Sequence, residues 1–81
     1  MMQPSLVQAY IAEGLSCEHL AVGGDGHHFE AVIVSAAFAG KNRVQRQQAV
    51  FAVVGERMEK NEIHALSMKC FTPEEWAARQ V

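Results

Sequence analysis

Four histidines, His19, His27, His28 and His64, are the side chains of this 81-residue chain best suited to chemistry near neutral pH. Two of them are adjacent in Gly-Gly-Asp-Gly-His-His-Phe-Glu, residues 23–30. A neutral imidazole is a borderline ligand that suits iron and zinc. On spacing alone, however, all four read as solvated or packing residues, because a lone histidine is seldom a ligand. Cys17 and Cys70 are far apart and form no C-x-x-C, so they are neither a disulfide framework nor a zinc knuckle. They read as reduced core thiols. No nucleophile stands beside a base, no carboxylates pair within sequence range, and no glycine loop is built to cradle phosphate; the chain is expected not to be an enzyme. One further cluster is basic: Lys41, Arg43 and Arg46 hold three of the seven basic residues. They fall at a helix start, where free amides and the helix dipole already favour anions. That cluster reads either as a solvated helix end or as a nucleic-acid or partner-binding patch.

The totals narrow what these residues can do. A chain this short buries only roughly 60–65% of the surface its unfolded form exposes, so a deep active-site cleft is disfavoured and a binding surface favoured. The net charge of −2 excludes a global polyanion binder and leaves room only for a local basic patch. An apolar share of 49% with 20% charged residues fits one globular domain over residues 1–81. There is no basic stretch followed by an apolar core at the start, and no apolar run approaches the roughly 20 residues of a membrane span. The expected location is the cytoplasm, with no membrane contact.

The elements that must position the histidines follow from pattern. Pro4 to Leu15 reads as a helix, with Pro4 in its first turn, Gly14 at its exit and an apolar stripe of Leu6, Val7, Tyr10 and Ile11. Glu18 to Val22 reads as a strand. Asp25-Gly26 inside Gly-Gly-Asp-Gly is a hairpin signal, and His28 to Ser35 is the returning strand. Ala36 to Asn42 is a connection ending in a capping asparagine. Arg43 to Met58 is a helix with Val44, Val50, Phe51, Val54 and Met58 near one stripe. Lys60-Asn61 reads as a break, and Ile63 to Phe71 as the third strand, with His64 near its start. Thr72-Pro73-Glu74-Glu75 starts a last helix through a Thr72–Glu75 capping box, and Trp76 anchors it. The order α-β-β-α-β-α is an α+β two-layer sandwich: a three-stranded sheet covered by helices, with the second and third strands parallel if adjacent.

The run Asp-Gly-His-His-Phe, then Phe38-Ala39-Gly40, Arg43-Val44-Gln45-Arg46-Gln47-Gln48-Ala49-Val50, Ile63-His64-Ala65-Leu66-Ser67 and Thr72-Pro73-Glu74-Glu75-Trp76 resembles the BolA family, and within it the acid-responsive IbaG branch. The resemblance covers nearly the whole chain. It implies a class II KH-like fold. It also implies pairing with a monothiol glutaredoxin, the two proteins holding a bridging [2Fe–2S] cluster for iron–sulfur assembly, trafficking or iron and stress sensing. The ligand it implies from the third strand is His64. The implied loop ligand, a histidine or a cysteine, matches His28, since Cys17 lies too early in the chain. Some members of the family are described as transcriptional regulators that bind DNA. The isolated chain is expected to be a monomer or weak dimer.

The chemistry at these positions is coherent. Two histidines cannot complete a [2Fe–2S] site, which takes four ligands, so the rest must come from outside; a partner cysteine and a glutathione thiol would supply them. Histidine on one iron raises the reduction potential and couples it to protonation. Neighbouring strand residues point to opposite faces, so a regular strand lets only one of His27 and His28 face His64. For nucleic acid, Gly40-Lys41-Asn42-Arg43 lies where a KH domain carries its Gly-x-x-Gly clamp, but the second glycine is absent. Paired aromatics for stacking bases are missing as well.

Overall fold

Three short segments whose burial alternates along the chain form one mixed sheet: β1 (His19–Gly24), β2 (Phe29–Val34) and β3 (Leu66–Phe71). The structure, a computed structural model, describes residues 3–79; the outermost positions of the expected 1–81 domain lie outside them. The strand order is β1-β2-β3, with β1 antiparallel and β3 parallel to the central β2. The parallel pair is the one expected from the intervening helix, since parallel neighbours need a crossover connection. Phe29, Ala31 and Ile33 of β2 and Leu66 and Met68 of β3 point to one face, where α1 (Pro4–Gly14) and α2 (Arg43–Val54) cover them. Val7 and Ile11 of α1, Val50 and Val54 of α2 and Phe38 are fully enclosed there.

The stripes predicted for these helices are narrower than expected. Leu6 is 41% exposed and Val44 60%, because each lies beyond the arc its helix presses on the sheet. Helix α2 also stops at Val54, with Gly55 as its C-cap, rather than running to Met58. Met58 still reaches the core from the turn that follows, where its N–H donates to the Val54 carbonyl (3.0 Å). At the start of α2 the Asn42 side chain accepts from the Gln45 N–H and the Gln45 side chain accepts from the Asn42 N–H, both at 2.9 Å.

A second correction concerns the region before β3. Lys60-Asn61 is not a break: Lys60–His64 forms a short helix, α3, and β3 begins only at Leu66. The Glu62 carboxylate accepts from the Glu59 N–H (2.9 Å), which closes the first turn and favours an acidic helix start. His64 therefore ends a helix instead of opening a strand. Similarly, β2 starts at Phe29, so His28 belongs to the hairpin loop.

The sheet's other face has its own small closure. Helix α4 (Pro73–Arg79) starts at the expected capping box, Thr72 N–H to Glu75 carboxylate (2.8 Å) and Glu75 N–H to Thr72 hydroxyl (3.2 Å). Trp76 then stacks on His19 (ring centroids 4.8 Å apart) and meets Phe71 at 5.5 Å. The register sets Val34 between those two residues, and Val34 is 1% exposed although it lies outside the main core. His19 is thus a strand-end histidine packed on the sheet edge, as the sequence pattern leads one to expect.

Candidate functional site

The hairpin between β1 and β2 is built to hold its own loop. Gly24 pairs with Phe29 across its mouth, and Gly24 and Gly26 adopt φ of 146° and 90°, which side-chain-bearing residues rarely take. The Asp25 carboxylate accepts from the N–H groups of both His27 (2.8 Å) and His28 (2.9 Å). Those two bonds hold the Asp25 carboxyl below its usual range, that from His28 first. The turn itself is the one expected from Asp25-Gly26; that Asp25 ties down the two histidine amides is a further feature of the loop. The signal was an aspartate two residues before the first amide it binds, the spacing of a side-chain turn. Because both histidines lie in the loop, strand alternation does not choose between them.

His28 and His64 come to the same end of the sheet. The first bond joining β2 to β3 runs from the Phe29 N–H to the Ala65 carbonyl (2.9 Å). His28 immediately precedes that donor, and His64 immediately precedes that acceptor. Both side chains are exposed, and adjacent strands lie about 4.8 Å apart. His27 is exposed in the same loop; His19 is at the far end of β1, under Trp76. The thiols are elsewhere. Cys17 donates to the Leu15 carbonyl (3.4 Å), and burial raises its pKa. Cys70 is half-buried, and burial pushes its thiol up to about 11. Among the described residues, no three of His, Cys, Asp and Glu converge as a metal site.

The predicted basic cluster divides. Arg46 is committed: it donates to the Glu75 carboxylate through both terminal nitrogens (2.7 and 3.3 Å), to the Cys70 carbonyl (3.1 Å) and to the Lys41 carbonyl (2.8 Å). It ties α2, β3 and α4 together, and its charge is neutralised in place. Lys41 and Arg43 remain exposed, and among the described residues neither has a carboxylate within salt-bridge distance. They line a groove of about 530 Å³ together with the edge of β3. Lys69 lines the same groove and was not singled out by the sequence, where nothing distinguishes it from any outward strand residue. Among the described residues no helix is long and apolar enough to cross a membrane.

Comparison with known proteins gives a consistent set of matches. Residues 4–75 match the family described as BolA-like protein. The chain is 40% identical over 76 residues to the "Acid stress protein IbaG" of Escherichia coli K12, covering 94% of this chain and 90% of that protein. It is 43% identical over 61 residues to the "DNA-binding transcriptional regulator BolA" of Haemophilus influenzae, covering 75% of this chain and 58% of that protein. The fold superposes on the crystal structure of a bol-like protein from Babesia bovis with a TM-score of 0.83 and 36% identity, over 100% of this chain and 96% of that one.

Proposed function

Since the chain belongs to the BolA-like protein family, we propose that it is a binding protein which docks a monothiol glutaredoxin and supplies His64 and His28 to a shared, bridging [2Fe–2S] cluster. The observation that carries the reading is the pairing of β2 with β3. It brings two exposed imidazoles, 36 residues apart in sequence, to either side of one interstrand hydrogen bond. Two imidazoles provide half of a four-ligand set, and the partner's cysteine with a bound glutathione thiol provides the rest. The chain's own thiols are poor competitors, since burial favours their protonated form and the thiolate is the ligand. Asp25 orients the loop amides and so limits where the His28 side chain can project. His64, at the end of a one-turn helix, is fixed by α3 from one side and β3 from the other. When bound, the cluster would supply a redox-active centre whose histidine side can also take up a proton. Assembly, trafficking and the sensing of iron or stress are the roles that fit such a centre.

The test is reconstitution of this protein with a monothiol glutaredoxin, glutathione, iron and sulfide, followed by visible absorption and circular dichroism. A heterodimer spectrum distinct from that of the glutaredoxin alone is expected, lost or altered in His64→Ala and in His28→Ala. An unchanged glutaredoxin-only spectrum in every mixture would remove the cluster reading. A second reading, a regulator that binds nucleic acid, is favoured by the exposed Lys41 and Arg43 and by the name of the Haemophilus relative. It has less charge to draw on than the sequence suggested, because Arg46 is already paired with Glu75.

A further inference from the structure

We propose that the outer edge of β3 is a docking site for an extended acidic segment of a protein partner, which adds to the sheet as a fourth strand. The proposal does not depend on the histidine site.

The edge is open by construction. β3 is a terminal strand of the sheet. Its bonds to β2 begin with Phe29 N–H to Ala65 C=O and end with Ser35 N–H to Phe71 C=O, six residues apart on both strands. In a parallel pair this phase turns the backbone groups of residues 65, 67, 69 and 71 toward β2, and those of 66, 68 and 70 away from it. Arg46 confirms the phase, since its guanidinium reaches the Cys70 carbonyl from the outer side. The N–H and C=O of Met68 and the N–H of Cys70 are left facing the groove of about 530 Å³. The opposite edge is treated differently. There the Gln8 carboxamide oxygen accepts from the Val22 N–H (3.3 Å) and α1 packs along β1. An unpaired strand edge is a ready template for another chain, and pairing at such an edge is a known mode of peptide recognition.

Charge selects the occupant. Lys41 and Arg43 stand on the wall formed by the start of α2, and Lys69 projects from β3 itself. All three are exposed, and among the described residues none is paired with a carboxylate. Arg43 and Lys69 also border a second depression of about 280 Å³ on the open face of the sheet, beside Glu30 and Ser67. A strand laid along β3 projects alternate side chains to the two sides of the sheet, so acidic residues at every second position would meet Lys69 and Arg43 on the open face. Apolar residues between them would turn to the other side, toward Met68. Backbone donors and acceptors in a row favour a peptide over nucleic acid, as does the absence of an exposed aromatic among the groove residues.

The probe is a fluorescein-labelled octapeptide of alternating glutamate and valine, titrated into the full chain. Fluorescence anisotropy reads binding, and amide exchange reads the contact. The expected result is binding at up to about millimolar peptide, with the Met68 and Cys70 amides exchanging more slowly. The double variant Arg43→Glu, Lys69→Glu should weaken binding about tenfold or more. N-methylating alternate peptide amides in one of the two possible registers should weaken it about fivefold, while the other register changes little. Circular dichroism of the double variant establishes that it is folded. No peptide binding, equal loss from both N-methylated registers, or slowed exchange confined to other strands would each overturn the proposal. So would a single-stranded oligonucleotide that displaces the peptide and binds more tightly, which would assign the groove to nucleic acid.

Discussion

Gly24→Ala should separate the backbone's part in the candidate site from the histidines' own. A Cβ at Gly24 would lie 2.1 Å from the His28 carbonyl oxygen and 3.0 Å from the Phe29 Cα, both backbone atoms that no rotamer change can move aside. Gly24 also has φ of 146°, where a side chain is strained whatever the space; forcing such a residue costs about 1–3 kcal/mol. A domain of this size holds only about 4–12 kcal/mol in total. At about 4–8 °C per kcal/mol the melting temperature should drop by about 5–20 °C. The chain can relieve the overlap only by opening the loop, which breaks the Asp25 N–H to His28 carbonyl bond (3.3 Å) and carries His28 away from its place beside Phe29. Gly23→Ala is the control, because no atom lies within 4 Å of its Cβ and its φ is not positive. It should change stability by no more than about 0.5 kcal/mol. The assays are thermal melting by circular dichroism, the amide resonances of His27 and His28, and the reconstituted glutaredoxin spectrum. Gly24→Ala should reproduce the spectrum of His28→Ala. A Gly24→Ala protein that melts lower yet keeps the wild-type loop resonances and spectrum would show that the hairpin does not position His28.

Three further outcomes follow from the same contacts. Asp25→Ala should leave the fold intact but speed amide exchange at His27 and His28, whose N–H groups lose their acceptor; unchanged exchange would mean the side chain does not order the loop. The Arg46 side chain, and then the Thr72 N–H, pull the Glu75 carboxyl from 4.5 to about 2. A lowered carboxyl stabilises the fold above its unfolded value, and that contribution is lost as pH falls from about 4.5 toward 2. In Arg46→Ala, carbon-detected titration should find the Glu75 carboxyl shifted upward and this acid-sensitive stability reduced; an unmoved Glu75 would contradict the pairing. Trp76→Ala should cost about 2–3 kcal/mol, below the value for a fully buried Trp because Trp76 is only half-buried. It should loosen His19 and Val34 and leave the cluster spectrum unchanged, since Trp76 lies at the other end of the strands; urea denaturation and that spectrum check both parts.

What the sequence could reveal depended on how local the cause was. The Thr72–Glu75 and Asn42–Gln45 caps and the Asp25-Gly26 turn act over three or four residues, and all are where the pattern puts them. The failures lie where two local signals compete or where the cause is distant. Ile-His-Ala-Leu-Ser reads as strand by its branched and apolar residues, but the acidic Glu59–Glu62 start wins four residues earlier and takes Ile63 and His64 into a helix, so the strand begins only at Leu66. Arg46 looks like a free cation because its partner, Glu75, is 29 positions away. Val44 sits near an apolar stripe, yet the angle at which α2 meets the sheet leaves it outside. The site itself is half legible. His64 and His28 can be marked one by one, but their shared position depends on the parallel pairing of β2 with β3, a long-range contact that no spacing encodes.

The two ends of the sheet are built for different duties. At the Val34–Phe71 end, Trp76, His19, Arg46 and Glu75 knit α4 to the body through stacking and a two-point ion pair. At the Phe29–Leu66 end no such clasp is found among the described residues: the loop is held by the Asp25 carboxylate, the bond from the Asp25 N–H to the His28 carbonyl and two glycine conformations, and α3 is a single short helix. Hydrogen exchange should therefore be slow at Ile33, Val34 and Phe71 and fast at residues 25–28 and 60–64, the segments that carry His28 and His64. A loop held by so few bonds can adjust to a partner that brings its own ligands. If partner binding slowed exchange at both histidine segments together and left the Trp76 end unchanged, the two imidazoles would be acting as one site. If only one segment responded, the second ligand would have to be sought elsewhere, with His27 the nearest alternative.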